Sequence, residues 1–374
     1  MQFNRPTLLL DRAKCMSNIG FMAEKASRHK VFFRPHFKTH QSAEIGQWFR
    51  DFGVSCITVS SVTMAKYFAV HGWDDITIAI PANLAEMTDI NLLAGKINLN
   101  LLVESNEVVE FLAANLHHQA GIFVKVDAGY HRTGIDVEQH DTILGISHLI
   151  STKRLLNFKG LVVHNGHTYH PSPAATGQQK EAIKTIHDQS LARLNRLKSF
   201  LQANGVEPLL SVGDTPAMTL TENFEGIGEI RPGNFVFYDL MQQKLGVCGY
   251  DQIAVAMACP VVATHPGRLE VVIYGGAVHL SKESVEDENG NKIFGEVVWL
   301  NEKGWSAPLE QTFVRSLSQE HGIIKTTPEF FHQFRPGMFV GILPVHSCLT
   351  NSLMPWIKTL NGQIIQTMNL FPGP

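Results

Sequence analysis

The sequence predicts an α/β protein in which a β/α (TIM-type) barrel is followed by an antiparallel β domain. Short apolar segments alternate with helical segments over about 220 residues, and about eight such units suggest a barrel. After Asp239 the pattern changes to strand-like segments separated by hairpin turns. The alternative, a doubly wound dinucleotide-binding sheet, is disfavoured because no G-x-G-x-x-G follows the first strand. We expect the barrel at residues 11–240 and the β domain at residues 241–374, with residues 1–10 as a candidate strand of the β domain.

The barrel elements are predicted from apolar periodicity and from residues that start or stop helices. The predicted strands are 31–33, 54–59, 76–80, 97–103, 121–126, 161–163, 209–212 and 227–230. One predicted helix follows Asp11, and the others span 40–52, 62–71, 84–94, 108–116, 142–150 and 180–203. Asp11 and Ser61 are candidate N-caps, while Gly72, Gly95 and Gly205 are candidate stops.

The β domain is predicted from strand-like segments separated by turn-forming dipeptides. These segments are 254–263, 269–274, 295–300, 338–343 and 356–360. The turn signals between them are His265-Pro266-Gly267, Asn289-Gly290 and Asn361-Gly362. Short strands joined by such turns are typical of an antiparallel sheet.

Composition indicates a globular protein and excludes several partner classes. The chain has 374 residues, of which 44% are hydrophobic and 17% charged, and its net charge is -3. Without a long basic run, nucleic acid and anionic membranes are not expected as partners. The five cysteines form no C-x-x-C pair, so neither a disulfide framework nor a closed zinc knuckle is expected. No signal-peptide core and no membrane-length apolar run is evident, so we expect a soluble cytoplasmic protein.

The segment from Arg34 to His40 contains the lysine around which the predicted site is arranged. It follows a short apolar strand, and Pro35 marks the end of that strand. Lys38 should therefore lie at the carboxyl end of a barrel strand, where ligands bind in α/β folds. Cationic neighbours (Arg34, His36 and His40) would favour the neutral, nucleophilic amine that Schiff-base chemistry requires. An ordinary solvated lysine remains an equal alternative on local composition.

Two further polar segments follow predicted strands and should share the same rim. In Val126–Gly134, Arg132 could hydrogen-bond a cofactor heteroatom with a fixed charge, or could be a surface residue of a turn. The segment His164–His170 contains three histidines and Tyr169 within seven residues. Such a cluster, including His167, can supply acid–base groups, stacking surface or metal ligands.

Two later segments are candidate anion sites. Ser211–Pro216 joins a strand to a helix start, where small residues such as Gly213 and free amide groups can bind an anion. Barrel enzymes often bind phosphate at the last two strands, and the last one ends at Glu229–Asp239. There Gly233 and Asn234 can offer backbone amides and Tyr238 a hydroxyl group.

His346 and Cys348 are a candidate metal pair at the end of a predicted β-domain strand. If the strand extends this far, residues two apart project on the same face. Imidazole plus thiolate is a zinc-type donor pair, although a catalytic zinc usually has three protein ligands. On spacing alone, a chance arrangement is favoured over a metal site.

Together these segments resemble the D-threonine aldolase and D-serine dehydratase family, pyridoxal-phosphate enzymes whose barrel is similar to that of alanine racemase. The resemblance rests on R-P-H-x-K-T-H from Arg34, V-D-x-G-x-x-R-T-G from Val126, R-P-G-N-x-V-F-Y-D from Arg231, and the H-x-C pair. The chain departs from the family pattern in Tyr274–His279 and in a G-D-T-P segment where G-S-T-P is common.

The resemblance implies a role for each segment. Lys38 would bind pyridoxal 5'-phosphate covalently, and Arg132 would contact its ring. Tyr169 would lie near the cofactor with His167 as its polar partner, and both are candidate catalytic residues with Lys38. The residues implied to hold the phosphate are Gly213, Thr215, Gly233, Asn234 and Tyr238, whereas Asp214 is a doubtful contact. His346 and Cys348 would bind a divalent metal, and the cysteine favours zinc over manganese.

The function implied is a metal-assisted lyase for β-hydroxy D-amino acids, most similar to D-serine dehydratase, which forms pyruvate and ammonia. D-threonine aldolase-like cleavage and amino-acid racemisation are the alternative reactions, and a non-catalytic pyridoxal-phosphate carrier is the alternative class. The aldolases have an aspartate where Cys348 stands, which favours dehydratase. A homodimer and a small-molecule D-amino acid substrate are implied by the family alone.

Overall fold

The computed structural model describes residues 4–171 and 178–370. Eight parallel strands form the first sheet and pair in the order first, eighth, seventh, sixth, fifth, fourth, third and second. A parallel bridge between His36 and Thr58 joins the first strand to the second and closes the barrel. In chain order these strands are Phe32–Phe33, Ile57–Val59, Asp75–Pro81, Asn98–Val103, Ala120–Asp127, Leu156–Val163, Leu209–Val212 and Glu229–Ile230, with Ile135–Asp136 paired beside the fifth.

The helices alternate with these strands, as the apolar periodicity predicts. They are Arg12–Arg28, Ala43–Arg50, Val62–Val70, Met87–Ala94, Asn106–Asn115, His140–Ser151, Gln179–Ala203, Thr215–Leu220 and Leu240–Lys244. Both predicted N-caps are observed: Asp11 accepts the amide N–H groups of Ala13 and Lys14, and the Ser61 side chain accepts that of Met64. Helix 40–52 was predicted too long, because Gln41 has a φ of +48° and Ser42 is extended, so the helix begins only at Ala43.

The second sheet is antiparallel and closes on itself. Its six closed strands are Val255–His265, Glu270–Tyr274, His321–Lys325, Gly304–Leu317, Gly295–Asn301 and Phe339–Pro344, in that order around the sheet. Thr7–Leu10 pairs with Val255–Ala258, and Trp356–Thr359 and Ile364–Gln366 extend the sheet from there. Val285–Glu286 and Lys292–Ile293 form a small separate hairpin at Asn289-Gly290. Short helices at Ala277–Leu280, Pro328–Phe331 and Ser347–Ser352 connect these strands.

The predicted fold class is therefore confirmed: a β/α barrel is followed by an antiparallel β domain. The division of the chain between residues 240 and 241 stays a prediction, and residues 1–3 and 371–374 of the predicted β domain lie outside the described residues. Among the described residues, no helix is both long enough and apolar enough to cross a membrane.

Candidate active site

A cavity of ≈ 400 Å³ lies at the carboxyl ends of the barrel strands. It brings together Lys38, Arg132, Tyr169, Gly213, Gly233 and Asn234 from the barrel with His346 and Cys348 from the C-terminal part. These residues lie up to about 300 positions apart in the chain. Their meeting in one cavity is typical of barrel enzymes, whose active sites are built from the ends of several strands. The cavity is therefore the candidate active site.

Lys38 reaches this cavity because its neighbours in sequence are anchored elsewhere. Phe37 is completely buried and packs edge-on against Trp73 at 5.1 Å and against Phe68 at 5.0 Å. The Lys38 carbonyl accepts a hydrogen bond of 3.0 Å from Gln41 Nε2. With Phe37 and Thr39 both buried, the Lys38 side chain is left exposed to the cavity.

The predicted cationic surroundings of Lys38 are not observed: Arg34 and His40 lie elsewhere, and His36, which does face Lys38, is neutral. Arg34 lies at the opposite end of the barrel, where it forms ion pairs with Asp75 at 2.5 Å and Glu229 at 2.7 Å. His40 is completely buried beside Phe37. Residues 37–40 form a turn, so the alternation of a strand, which would place residues 34, 36, 38 and 40 on one side, does not continue through this segment.

The imidazoles that do face Lys38 are His36 and His164. Burial, together with the charge of Lys38, holds the pKa of each well below its usual value. Both rings are therefore neutral at physiological pH. His164 is fixed by a hydrogen bond between Nδ1 and the Gly213 carbonyl. Each can exchange a proton or a hydrogen bond with a ligand without adding charge.

Sequence reasoning missed two buried cations that line the cavity, Lys125 and Arg231. Burial, with the charges of Arg231 and Arg132, lowers the pKa of Lys125 to about 8. Burial lowers the pKa of Arg231 to about 10, and its guanidinium donates to Ser211 Oγ and the Val163 carbonyl, each at 2.6 Å. A lysine within the apolar strand Ala120–Asp127 was the signal that could have identified the first of them.

Tyr169 and Asp214 form a buried polar unit at the start of helix Thr215–Leu220. The Tyr169 hydroxyl accepts the amide N–H of Thr215 at 3.1 Å, and burial raises its pKa. Asp214 caps the helix by accepting the amide of Ala217 at 2.7 Å, and it accepts a second bond from Thr168 at 3.0 Å. Burial raises the pKa of Asp214 to about 7, so this carboxyl is partly protonated near neutrality.

Three predicted site residues are not among those that line the cavity: His167, Thr215 and Tyr238. The His167 ring is half-buried and stacks on Tyr130 at 6.2 Å. Tyr238 is completely buried, and its hydroxyl lies 3.4 Å from Thr219 Oγ1. Thr215 is also completely buried, behind Tyr169. Their roles toward a cofactor stay predictions.

The spacing of His346 and Cys348 predicted that both lie on a strand, but neither of them does. The strand ends at Pro344, and His346 caps helix Ser347–Ser352, which carries Cys348 in its first turn. Asp239 holds this turn by accepting the Ser347 amide at 2.9 Å. The two side chains nevertheless hydrogen-bond each other because the helical turn brings them together.

The imidazole and the thiol of this pair alter each other's protonation. Burial alone would lower the pKa of His346, but the bond to Cys348 and its charge raise it to about 9. Burial would raise the pKa of Cys348, whereas His346 and Lys38 lower it. Cys348 Sγ also lies 3.2 Å from Thr39 Oγ1, the residue next to Lys38. Each side chain therefore favours the charged form of the other, and a metal ion could take the place of the proton between them.

The residues of the cavity fit an anionic cofactor and a metal ion. A Cβ on Gly233 would lie 2.8 Å from the His36 carbonyl oxygen, and one on Gly213 would lie 3.0 Å from the Arg231 carbonyl oxygen, so both positions require a bare backbone at the cavity wall. Asn234 Oδ1 and Asp214 Oδ2 are buried without a hydrogen-bond partner in the described parts of the chain. No group of three or more His, Cys, Asp or Glu among residues 4–171 and 178–370 could hold a metal, so substrate or water would have to complete its coordination.

Comparisons with known proteins cover almost the whole chain. Residues 10–240 match the family described as Alanine racemase, N-terminal domain, and residues 254–360 match the Putative serine dehydratase domain. D-serine dehydratase of Dictyostelium discoideum is 27% identical, over 97% of this chain and 95% of that protein. D-threo-3-hydroxyaspartate dehydratase of Delftia sp. (strain HT23) is 24% identical, over 96% of this chain and 95% of that protein.

The solved structure of the Delftia enzyme superposes with a TM-score of 0.89 at 23% identity and covers 98% of each chain. The structure of D-threonine aldolase from Filomicrobium marinum gives a TM-score of 0.81 at 18% identity, over 97% of this chain and 94% of that chain. At such identities these two likenesses show the fold alone. The resemblance seen in the motifs is confirmed by the family matches. The chain belongs to the family defined by the alanine racemase N-terminal domain.

Proposed function

We propose that the protein is a pyridoxal-phosphate-dependent, metal-assisted lyase for β-hydroxy D-amino acids, with D-serine converted to pyruvate and ammonia. The observation that carries the proposal is the contact between Thr39 and Cys348, because it places the amine of Lys38 and the His346–Cys348 pair in one cavity. Relatives that match over nearly their full length are named as D-serine and D-threo-3-hydroxyaspartate dehydratases, which supports this reaction class.

Lys38 would hold the cofactor, and Arg132 and Tyr169 would contact its ring from the cavity wall. Gly213, Gly233 and Asn234 would surround the phosphate, since the two glycines leave backbone accessible there. When bound, pyridoxal phosphate supplies an electron sink for the carbanion that forms at Cα. An ionised Asp214 would repel the phosphate, so we expect this carboxyl to be protonated in the loaded protein.

The residues of this chain then perform the proton transfers. Lys38 Nζ would hold the cofactor and, when its amine is free and neutral, would be placed to remove the proton from Cα. His36 and His164 stay neutral beside it, so neither adds a positive charge that would oppose protonation of Lys38 Nζ. His346 and Cys348 would hold a divalent ion that supplies Lewis acidity for the β-hydroxyl group. Two solved structures are described as D-threo-3-hydroxyaspartate dehydratase with a Cys-to-Ala mutation in the metal-free form and with a His-to-Ala mutation, and these residue types match the proposed pair.

One experiment separates the candidate reactions. Purified protein with pyridoxal phosphate is incubated with D-serine and with D-threonine, each in the presence of zinc or manganese. Pyruvate or 2-oxobutanoate indicates a dehydratase, acetaldehyde and glycine indicate an aldolase, and L-serine detected by chiral chromatography indicates a racemase. Absence of oxo-acid from D-serine with either metal would contradict the dehydratase assignment. Zinc as the metal, a homodimer and a cytoplasmic location stay predictions.

A further inference from the structure

A glutamate that sequence reasoning passed over, Glu283, lines the candidate active site. It lies between helix Ala277–Leu280 and strand Val285–Glu286 in the C-terminal part of the chain. Its side chain is half-buried and faces the same cavity as Lys38, His346 and Cys348. Glu283 is therefore placed where it can meet a bound substrate.

The backbone before Glu283 is fixed in an uncommon conformation. Ser281 has a φ of +66°, in the region that side chains rarely adopt. Its hydroxyl accepts the amide N–H of Glu283 at 3.3 Å. The preceding carbonyl, that of Leu280, accepts a hydrogen bond of 3.2 Å from Thr350. Thr350 lies two residues after Cys348 on the same short helix, so this segment and the candidate metal pair are held together.

The Glu283 carboxylate forms no ion pair in the described parts of the chain. Among residues 4–171 and 178–370 it has no ion pair and no side-chain hydrogen bond. The buried cations of the cavity are used elsewhere: Lys125 Nζ donates to the Val126 carbonyl at 3.1 Å, and Arg231 is bound by Ser211 and Val163. In the proposed function Lys38 and Arg132 serve the cofactor.

Among the described residues, the C-terminal part contributes four to the cavity wall: Met241, Glu283, His346 and Cys348. None of these four is a lysine or an arginine, and the His346 imidazole is paired with Cys348. A substrate β-substituent that reaches the His346–Cys348 pair therefore meets a wall on which Glu283 is the only carboxylate among the described residues of the C-terminal part. Glu283 would lower the affinity for a substrate with a second carboxylate there, because like charges brought together disfavour binding even beside a cation held by that pair.

We propose that Glu283 is a specificity-determining residue that excludes D-amino acids with a second carboxylate and favours those with a neutral β-substituent. This inference rests on the proposed function and deepens it. The named relatives include enzymes for D-serine and for D-threo-3-hydroxyaspartate, which differ by such a carboxylate. Glu283 assigns this chain to the first of these substrate classes.

The test measures binding without turnover. D-alanine and D-aspartate lack the β-hydroxyl group, so neither can be dehydrated, and they differ by the carboxylate in question. Their dissociation constants are obtained from the change in cofactor absorbance of the holoenzyme. In Glu283→Gln we expect the affinity for D-aspartate to rise about tenfold relative to that for D-alanine, and more in Glu283→Lys. The kcat/KM ratio of D-threo-3-hydroxyaspartate to D-serine should rise in the same order.

Two control variants identify the cause. Glu286→Gln makes the same substitution at an exposed position three residues later and should leave the ratio of dissociation constants at the wild-type value. Glu283→Asp keeps the charge and should retain most of the discrimination. Added salt should weaken the discrimination between D-aspartate and D-alanine in the wild type, but it should not change that discrimination in Glu283→Gln.

The outcomes separate this inference from the proposed function. If both ligands bind and Glu283→Gln leaves their ratio within a factor of about two, the role of Glu283 is wrong while the lyase assignment stands. An equal change in Glu286→Gln also overturns it, since overall charge would then be the cause. If the holoenzyme binds neither ligand, the proposed function fails and this inference fails with it.

Discussion

The two ends of the barrel hold cavities of nearly equal size but opposite character. The cavity at the amino ends of the strands is ≈ 410 Å³, and the one at the carboxyl ends is ≈ 400 Å³. At the amino end, the buried charges of Arg34 and Glu229 are paired with each other. At the carboxyl end, Asn234 and Asp214 carry buried oxygen atoms that lack a partner in the described residues. Incomplete hydrogen bonding, and not volume, distinguishes the candidate site.

A line of hydrogen bonds through the barrel interior connects the two ends. Arg34 binds Glu229 at 2.7 Å, Ser211 donates to the other oxygen of Glu229 at 2.6 Å, and Arg231 Nε donates to Ser211 at 2.6 Å. Arg231 in turn lines the candidate active site. The amino end thus stabilises the barrel and supports the residues at the other end, where polar groups remain available for ligands.

The largest difference between the two ends of the barrel is expected in the turnover of variants with a substituted lysine. Lys38→Ala should lower turnover at least about a thousandfold, because both the covalent attachment and the base at Cα are lost. The cofactor absorbance of the purified protein should disappear as well. Lys159→Ala, at the amino-end cavity, should change neither. An unchanged cofactor spectrum in Lys38→Ala would refute the assignment of this residue.

The amino end should dominate stability. Arg34→Met leaves the buried Glu229 without its cation, so we expect the free energy of unfolding to fall by about 3–5 kcal/mol in urea denaturation. Lys153→Met removes the partly exposed pair with Glu110 and should cost at most about 1 kcal/mol. Equal losses in the two variants would show that the amino-end network is not a stabilising element.

Cysteine substitutions should also separate the two ends. In Cys348→Ser the metal affinity should fall, and turnover should fall about a hundredfold, while the cofactor absorbance is retained. Chelation of the wild-type protein should have the same effect, reversed by added zinc. Cys56→Ser, which alters the amino-end cavity, serves as the matched control and should keep full activity. Full activity of the chelated wild type would exclude a metal role.

The smallest effect concerns the pH dependence of stability. Because the folded-state pKa of Asp214 is raised to about 7, the folded protein holds this proton more tightly than the unfolded chain does. The free energy of unfolding should therefore fall as the pH rises from about 4 to about 7. Asp214→Asn keeps the helix cap but has no carboxyl that titrates. The free energy of unfolding of this variant, relative to that of the wild type, should therefore be about 1–3 kcal/mol greater at pH 8 than at pH 5. Urea denaturation of the cofactor-free protein at the two values checks this, and equal stabilisation at both would contradict the shifted pKa.

Much of the architecture could be predicted from local sequence. Each of the eight barrel strands overlaps its predicted segment, because short apolar runs bounded by helix caps and glycines carry their own periodic signal. The strand Gly304–Leu317 was missed, although it is the longest in the β domain. It contains Pro308, and its register shifts twice against Gly295–Asn301, so its sequence shows no regular alternation.

The chain alone determined the fold class and the motifs that carry Lys38, Arg132, Tyr169, His346 and Cys348, since these depend on residues close together in sequence. Only the tertiary structure decided which side chains share a cavity. It turned Arg34 and His40 away from Lys38, and it joined His346 to Cys348 through a helical turn instead of a strand. It also brought Glu283 to the cavity wall. Side-chain direction at these positions is set by packing between distant segments, such as Thr350 against Leu280, and no local pattern encodes that packing.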